Sequence, residues 1–153
     1  MRDTKDPYFK PMSEDLPDDI AELISDFEFL EDWEDRYMHV IDMGKALSPL
    51  EPALKTDATK VKGCVSQVWL VSEQEGENDP VLRFQGDSDA HIVKGLVAIV
   101  LVIFSGRKAS KILSLDAKSI LGKLGLSEHL SPQRSNGLNA MVSRIKAEAE
   151  ALV

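Results

Sequence analysis

Apolar residues recur every three or four positions between residues 17 and 46, which is the spacing of one face of an α-helix. Ile20, Leu23 and Phe27 belong to a first stretch, and Pro17 with the two aspartates after it suits the first turn of a helix. A second stretch starts at about residue 32, with its inner positions at Trp33, Tyr37, Val40, Ile41 and Gly44. The pattern predicts two amphipathic helices, which we expect to pack against a sheet.

The middle of the chain has a different pattern. After an irregular connection at 48–61, the segments up to residue 74 and at 81–85 are rich in β-branched and aromatic residues, which favour strands. The sequence EGENDP between them is typical of a turn, so an antiparallel hairpin is predicted. The sequence GDSD at 86–89 is expected to end the second strand and to supply the N-cap of the next helix.

The C-terminal half is predicted to be helical. Residues 90–104 are apolar on most sides, which predicts a central buried helix that Gly106 ends. One or two short helices are expected at 110–124. Ser131 and Pro132 then form a helix start, followed by an inner stripe at Leu138, Met141, Val142, Ile145, Ala149 and Leu152. We therefore predict an α+β fold in a single domain over 17–153, with a small antiparallel sheet packed against helices, preceded by a loose N-terminal arm at 1–16.

Charge and hydropathy exclude several classes of protein. The 153 residues carry a net charge of −8, and residues 1–51 alone carry −10. Nucleic-acid binding normally needs a basic face, so that partner is not expected. The acidic half suits either a basic partner or a solvated surface. No apolar segment follows the first residues as in a secretory signal, and the apolar run at 95–104 is shorter than the roughly 20 residues that span a bilayer. We predict a cytoplasmic protein that does not enter a membrane.

Cys64 is the only cysteine, and it follows Gly63 at the entrance to the first predicted strand. One thiol excludes an internal disulfide and cannot by itself supply a four-thiolate metal or cluster site, so no metal and no cofactor are predicted. Two interpretations of Cys64 remain open. It is either a small buried apolar residue or a thiol placed reproducibly for chemistry. A Cys–His hydrolase would also need His39, His91 or His129 beside Cys64.

The segment GCVSQVW at 63–69 closely resembles the cysteine motif of the SufE family, the sulfur acceptors of cysteine desulfurases. Three more segments resemble the family in the same order: DWEDRY at 32–37 with the residues up to 44, QGDSDAHIVKG at 85–95, and HLSPQRSNGL at 129–138. Together the four motifs cover the chain from about residue 17 to its end. Val65 departs from the polar residue expected in many relatives.

The resemblance implies a sulfur relay. A pyridoxal-phosphate cysteine desulfurase (SufS-like) would transfer persulfide sulfur to Cys64 and be stimulated in doing so, and the sulfur would pass on to an iron–sulfur assembly complex (SufBCD-like). The chain would then be a transfer partner, a monomer or homodimer, rather than a stand-alone enzyme. Its fold would have about three strands and be similar to the iron–sulfur scaffold proteins. The candidate loop and partner-contact residues are Gly63, Ser66, Gln67, Asp87 and Arg134.

Alternatives remain for the function and for two of these residues. An iron–sulfur scaffold would need more ligands than one cysteine, and a thiol peroxidase or hydrolase would turn over substrate without a desulfurase. In the alternative interpretation, Ser88 or Asp89 in the turn that contains Asp87 is only an N-cap, and Arg134 is a solvated residue of the first helical turn. Because a stored persulfide must be protected whereas transfer needs exposure, we expect a sheltered and an exposed state of the loop, with Gly63 as hinge.

Overall fold

The computed structural model describes residues 16–64 and 66–153, so the predicted arm, apart from Leu16, and Val65 lie outside the described residues. Two helices come first, α1 (Asp18–Phe29) and α2 (Trp33–Ala46), followed by a short 3₁₀ helix at Pro52–Leu54. The remaining elements are β1 (Val68–Glu75), β2 (Val81–Ser88), α3 (His91–Phe104), β3 (Arg107–Lys108), α4 (Ala109–Ser114), α5 (Ala117–Lys123), α6 (Leu126–His129) and α7 (Pro132–Glu150).

The three strands form one antiparallel sheet in the order β1-β2-β3, which confirms the predicted α+β fold. β1 and β2 are paired from Val68 opposite Ser88 to Glu75 opposite Val81. The second strand therefore continues through the segment that was expected to end it. β3 pairs with the start of β2 over only two residues, which is too short to leave a recognisable pattern in the sequence.

The central helix α3 is buried on most of its surface, as predicted. It packs on β2 on one side and on α2 on another. A Cβ atom on Gly95 would lie 2.1 Å from the carbonyl oxygen of Val40, so α2 approaches α3 at backbone distance. The expectation that the first helices pack against the sheet was wrong, because α1 packs on α3 and α5 and the glycines allow α2 to pack on α3, the helix that covers the sheet.

The last helix, α7, begins and packs as the sequence predicts. The Ser131 hydroxyl accepts a hydrogen bond from the Arg134 amide at 3.3 Å, and Pro132 is the first helical residue. Leu138, Met141 and Ile145 are buried, and α7 packs against α3 and α4. Among the described ranges, no helix is both long enough and apolar enough to cross a membrane.

Candidate functional site

The cysteine lies in a loop, residues 62–67, whose two ends are held together. The Val61 amide donates to the Val68 carbonyl at 2.8 Å, and the Leu70 amide donates to the Thr59 carbonyl at 2.9 Å. The segment before the loop therefore pairs with β1, and the chain returns to nearly the point it left. This pairing fixes the ends of the loop on the edge of the sheet.

The C-terminal end of the loop is also held by the residues at the end of β2 and directly after it. The carboxylate of Asp89 accepts from the Gln67 amide at 3.1 Å and from the Gln67 side chain at 3.2 Å. The Ser88 hydroxyl donates to the Gln67 carbonyl at 2.7 Å. The segment at 86–89 was expected to supply the N-cap of α3 from Ser88 or Asp89, but the N-cap position is Ala90 and no side chain caps it. Instead the Asp89 carboxylate holds Gln67, because β2 runs three residues further than predicted and brings Asp89 beside the loop.

Gly63 and Cys64 form the part of the loop that meets α7. Gly63 has φ +90°, in the left-handed region that side chains other than glycine rarely adopt. The half-buried Cys64 points at α7, where its Sγ is 3.6 Å from the carbonyl oxygen of Gly137. This is a long and weak hydrogen bond, as expected of a thiol donor.

The thiol borders a cavity of about 360 Å³ between the loop, α3 and α7. Its apolar walls come from Val93 and Leu96 of α3 and from Leu138 and Met141 of α7. The polar lining comes from Ser66, Ser131, Gln133 and Arg134. Arg134 is thus the one charged residue of the lining, and among residues 16–64 and 66–153 its guanidinium has no hydrogen-bond or ion-pair partner. The cavity suits a small anionic or polarisable sulfur group.

Burial raises the pKa of the Cys64 thiol above its ordinary value. The thiolate is the nucleophilic form, so a raised pKa keeps the resting thiol protonated and slow to react. A nucleophilic reaction of Cys64 therefore requires that the thiol be exposed or its thiolate be stabilised.

The structure brings some of the predicted loop and contact residues to the thiol and places one elsewhere. Ser66 and Arg134 border the cavity with Cys64, and Gly63 and Gln67 lie on the loop. Asp87 instead lies in β2, opposite Trp69, and is 3% exposed. Its carboxylate forms ion pairs with Lys55 and Lys94, with N–O distances of 3.3 and 3.4 Å.

The surroundings of Asp87 compensate its charge. Burial acts to raise the pKa of Asp87, but hydrogen bonds from the amides of Leu50 and Ser88, at 3.0 and 2.8 Å, act against it together with the two lysines. The result is a pKa below the ordinary value for aspartate. Asp87 thereby connects the irregular segment at 48–61 to the sheet and to α3.

The three histidines have surroundings other than the cavity at the thiol. The His129 ring stacks on Trp33 with centroids 4.5 Å apart, and His39 makes an edge contact with Phe27. His91 is exposed at the start of α3. In the described part of the chain, the cavity lining contains no histidine, and no group of three or more His, Cys, Asp or Glu side chains is placed to hold a metal ion.

Two residues of α7 that the sequence did not single out contact the cysteine loop. One contacts its tip, Gly63 and Cys64, and the other contacts its root, by which we mean the residues at the two ends of the loop. Gly137 lies against Cys64, and a glycine isolated within a helical pattern is a signal that could have revealed a close approach. The Arg144 guanidinium donates to the carbonyls of Lys60 and Ala58 at 2.9 and 2.8 Å. No sequence signal marks Arg144, because its partners are backbone carbonyls. α7 therefore supports both the tip and the root of the loop.

Comparison with known proteins gives a consistent result. Residues 21–149 match the family model described as SufE: Fe-S metabolism associated domain. Over 132 residues the chain is 58% identical to an uncharacterised SufE-like protein of Rhizobium meliloti (strain 1021), covering 86% of this chain and 94% of that protein. A SufE-like protein of Rhizobium etli is 57% identical over 132 residues, covering 86% of this chain and 89% of that protein.

The fold is also similar to a solved structure. The solution structure of a hypothetical protein from Thermus thermophilus superposes with a TM-score of 0.70, covering 90% of this chain and 97% of that one, at 20% identity. At that identity the likeness concerns the fold alone.

Proposed function

This chain belongs to the SufE family, and on that premise we propose that it is a sulfur acceptor whose Cys64 takes the outer sulfur of a persulfide held by a cysteine desulfurase. Family membership associates the chain with iron–sulfur metabolism. The proposal goes further: the chain stimulates a SufS-like desulfurase and passes the sulfur to a SufBCD-like assembly complex in the cytoplasm.

The transfer needs one thiolate and one persulfide. The Cys64 thiolate attacks the outer sulfur of the desulfurase persulfide, and a new S–S bond forms on Cys64. The S–S bond of the desulfurase persulfide breaks, and its cysteine leaves as a thiolate. The sum of oxidation states does not change, so the step needs no further oxidant or reductant.

The observation that carries the proposal is the position of the only thiol of the chain, which is half-buried at a cavity where Arg134 is the one charged residue among the described residues of the lining. A persulfide is more acidic than a thiol, and reductants cleave its S–S bond, so a store for it benefits from apolar walls and one positive charge. Val93, Leu96 and Met141 supply such walls. A buried apolar cysteine would not need the cavity or the arginine.

The protected thiol implies that the desulfurase contributes to activation. Because burial raises the pKa of Cys64, the resting protein reacts slowly with small reagents. A partner that binds the exposed loop more tightly than the sheltered loop shifts the equilibrium toward exposure. Gly63, at the turn before the thiol, is the hinge of this proposed movement.

The test is to incubate the purified protein with a cysteine desulfurase and free cysteine, and to measure the mass of the intact chain. Sulfur acceptance adds the mass of one sulfur atom, located at Cys64 by peptide mapping and removed by a reductant. Cys64→Ser treated in the same way is the control. A parent chain that gains no sulfur, with a desulfurase proven active, would overturn the proposal.

The same incubation separates the alternative functions. Bound iron and colour after addition of iron would indicate a scaffold. Turnover of a peroxide or an ester without the desulfurase would indicate a thiol enzyme. Neither alternative has a favouring contact among the described residues, where the thiol has no histidine in its cavity and no metal-binding group.

A further inference from the structure

Gly137 occupies an unusual place for a glycine, since it is buried and lies in the interior of α7. Glycine in a helix interior costs about 1 kcal/mol relative to alanine. A residue that weakens its own helix is expected where a neighbour must come close. The neighbour here is the cysteine loop.

A side chain at residue 137 would meet Cys64 first. A Cβ atom on Gly137 would lie 3.4 Å from the thiol sulfur, 3.8 Å from the Cβ of Cys64 and 3.9 Å from its Cα. All three nearest atoms belong to one residue. The methyl group of alanine would therefore be in van der Waals contact with Cys64, and a larger branched side chain would compete with the thiol for the space beside α7.

The backbone of Gly137 also contacts the thiol. Its carbonyl oxygen accepts the hydrogen bond from the Cys64 Sγ at 3.6 Å, and this is the one hydrogen bond of the thiol among the described residues. The absent side chain and the carbonyl oxygen of Gly137 thus act at the same point. One makes room for the thiol, and the other orients it toward α7.

We propose that Gly137 is the positioning residue of the sulfur-transfer site. Because Gly137 has no side chain, it leaves a space against α7 in which the Cys64 thiol lies, and we call this space the seat. The size of the seat determines how strongly the thiol is sheltered from solvent. The inference rests on the proposed function only for the purpose that the seat serves. The seat itself exists in the free protein and can be tested without a desulfurase. Filling the seat displaces the thiol toward solvent while the root of the loop stays held by Arg144 and Asp89.

Gly122 offers a matched control. It is a helical glycine of α5, and a Cβ atom there would have nothing within 4 Å. A substitution at residue 122 also adds a side chain to a helical glycine, near the end of α5 and exposed, but only a substitution at 137 meets Cys64. A difference between the two positions therefore reports the seat rather than a general change in helix stability.

The experiment measures the alkylation rate of Cys64 by iodoacetamide in the free protein, over a range of pH. Gly137→Val should accelerate labelling several-fold and move the midpoint of its pH profile down toward that of a free thiol. Gly137→Ala should have a smaller effect in the same direction. Gly122→Ala and Gly122→Val should label at the parent rate. Circular dichroism and thermal melting verify that each variant is folded.

Two results would overturn the proposal: a folded Gly137→Val that labels at the parent rate, or equal acceleration by Gly122→Val. If Gly137→Val does not fold, Gly137→Ala decides, and parent-like labelling of that variant is the overturning result. Alkylation needs no desulfurase, so the seat and the proposed function fail separately. A parent that takes up no sulfur removes the function, whereas the labelling series alone judges Gly137.

Discussion

Cys64 lies in the loop before the first strand of the hairpin and Asp87 lies in its second strand, yet the protein holds the two side chains in opposite ways. Each oxygen of the Asp87 carboxylate meets one backbone amide and one lysine, so the charge is compensated inside the fold. The Cys64 sulfur has a single weak hydrogen bond among the described residues, at 3.6 Å, and borders a cavity. The contrast distinguishes a fixed frame, to which Asp87 belongs, from the tip of the cysteine loop, Gly63 and Cys64, which only weak contacts hold in place.

The distinction explains how one small domain could protect a thiol and still present it. In the frame, Asp89 and Arg144 hold the two ends of the cysteine loop through hydrogen bonds of 3.1 and 2.9 Å, and Asp87 holds the preceding segment through the Leu50 amide. The tip is held by packing against Gly137 and by the weak thiol contact. Breaking the frame should cost stability, whereas changing the tip should alter reactivity at little cost in stability.

The largest expected effect comes from Cys64→Ser. Serine is close in size and can donate to the Gly137 carbonyl, so we expect the free energy of unfolding to change by less than about 1 kcal/mol. Sulfur acceptance and stimulation of a desulfurase should be lost completely, because the nucleophile is absent. The measurements are urea unfolding and desulfurase turnover with and without the variant. Full stimulation by the serine variant would remove Cys64 from the relay.

A truncation on the buried face of α7, the helix that packs against the cysteine loop, should have the largest effect on stability. Ile145 is fully buried on the inner face of α7. Truncating a buried isoleucine to alanine costs about 2–5 kcal/mol from lost burial and the cavity that remains. Ile145→Ala should lower the melting temperature clearly, and Val153→Ala, at an exposed position, is the control. An Ile145 variant that melts with the parent would contradict the packing of α7.

Breaking the frame at Asp87 should destabilise the fold somewhat less. In Asp87→Asn one oxygen becomes an NH2 group that faces an amide donor and an ammonium group. Removing one partner of a buried ion pair costs about 3–5 kcal/mol, and we expect about 2–3 kcal/mol here because both lysines reach solvent in part. Asp57→Asn, in the exposed part of the same connection, is the control.

The pH dependence of this effect has a definite sign. Because the pKa of Asp87 is lowered in the fold, its contribution to stability is present above the pKa of an unfolded aspartate and is lost as pH falls through the lower, folded value. The parent should therefore lose stability in that acid range, and Asp87→Asn should lose less there. Equal acid sensitivity of parent and variant would mean that the carboxylate is not the group that is titrating.

Much of this frame could be predicted from the sequence, because periodicity and turn composition report local structure. The amphipathic stripe of α7, the buried α3 and the hairpin all follow from such patterns. The extent of β2 could not be predicted, since Gly86 is typical of a turn but here admits close packing. A Cβ atom there would lie 2.7 Å from Val97 and 2.8 Å from Leu70.

The site was less predictable than the fold, because it depends on contacts between distant segments. The sequence identified Cys64 as the candidate thiol and, through the family resemblance, Arg134 as a candidate neighbour. It could not indicate that Asp87 turns toward Lys55 and Lys94 rather than toward the cavity, since alternation along a strand gives the face but not the partners. The contacts of Gly137 and Arg144 likewise exist only in the folded chain.

A smaller effect is expected from straining the tip at Gly63. Its φ of +90° is unfavourable for any residue with a Cβ, at about 1–2 kcal/mol. Gly63→Ala should therefore destabilise the sheltered loop and raise the alkylation rate of Cys64 by up to about 5- to 30-fold, the factor that corresponds to this energy. Gly76→Ala is the matched control, because Gly76 has φ +97° in the β1–β2 turn. Acceleration by both variants alike would mean that the hairpin, not the tip, controls access to the thiol.

The smallest expected effect is a shift in the pH profile of the parent itself. Burial raises the pKa of Cys64, so at a given pH its thiolate fraction, and hence its alkylation rate, should be lower than that of a short peptide with one cysteine. The midpoint of the labelling profile should lie at higher pH than the midpoint of the peptide. A catalytically inactive desulfurase that prefers the exposed loop should move this midpoint down as its concentration increases, since only a difference in affinity between the two states can shift their populations. Serum albumin at the same concentration controls for crowding. If Cys64 titrates like the peptide without any partner, the tip is not sheltered, and the contrast between a fixed frame and a protected thiol no longer holds.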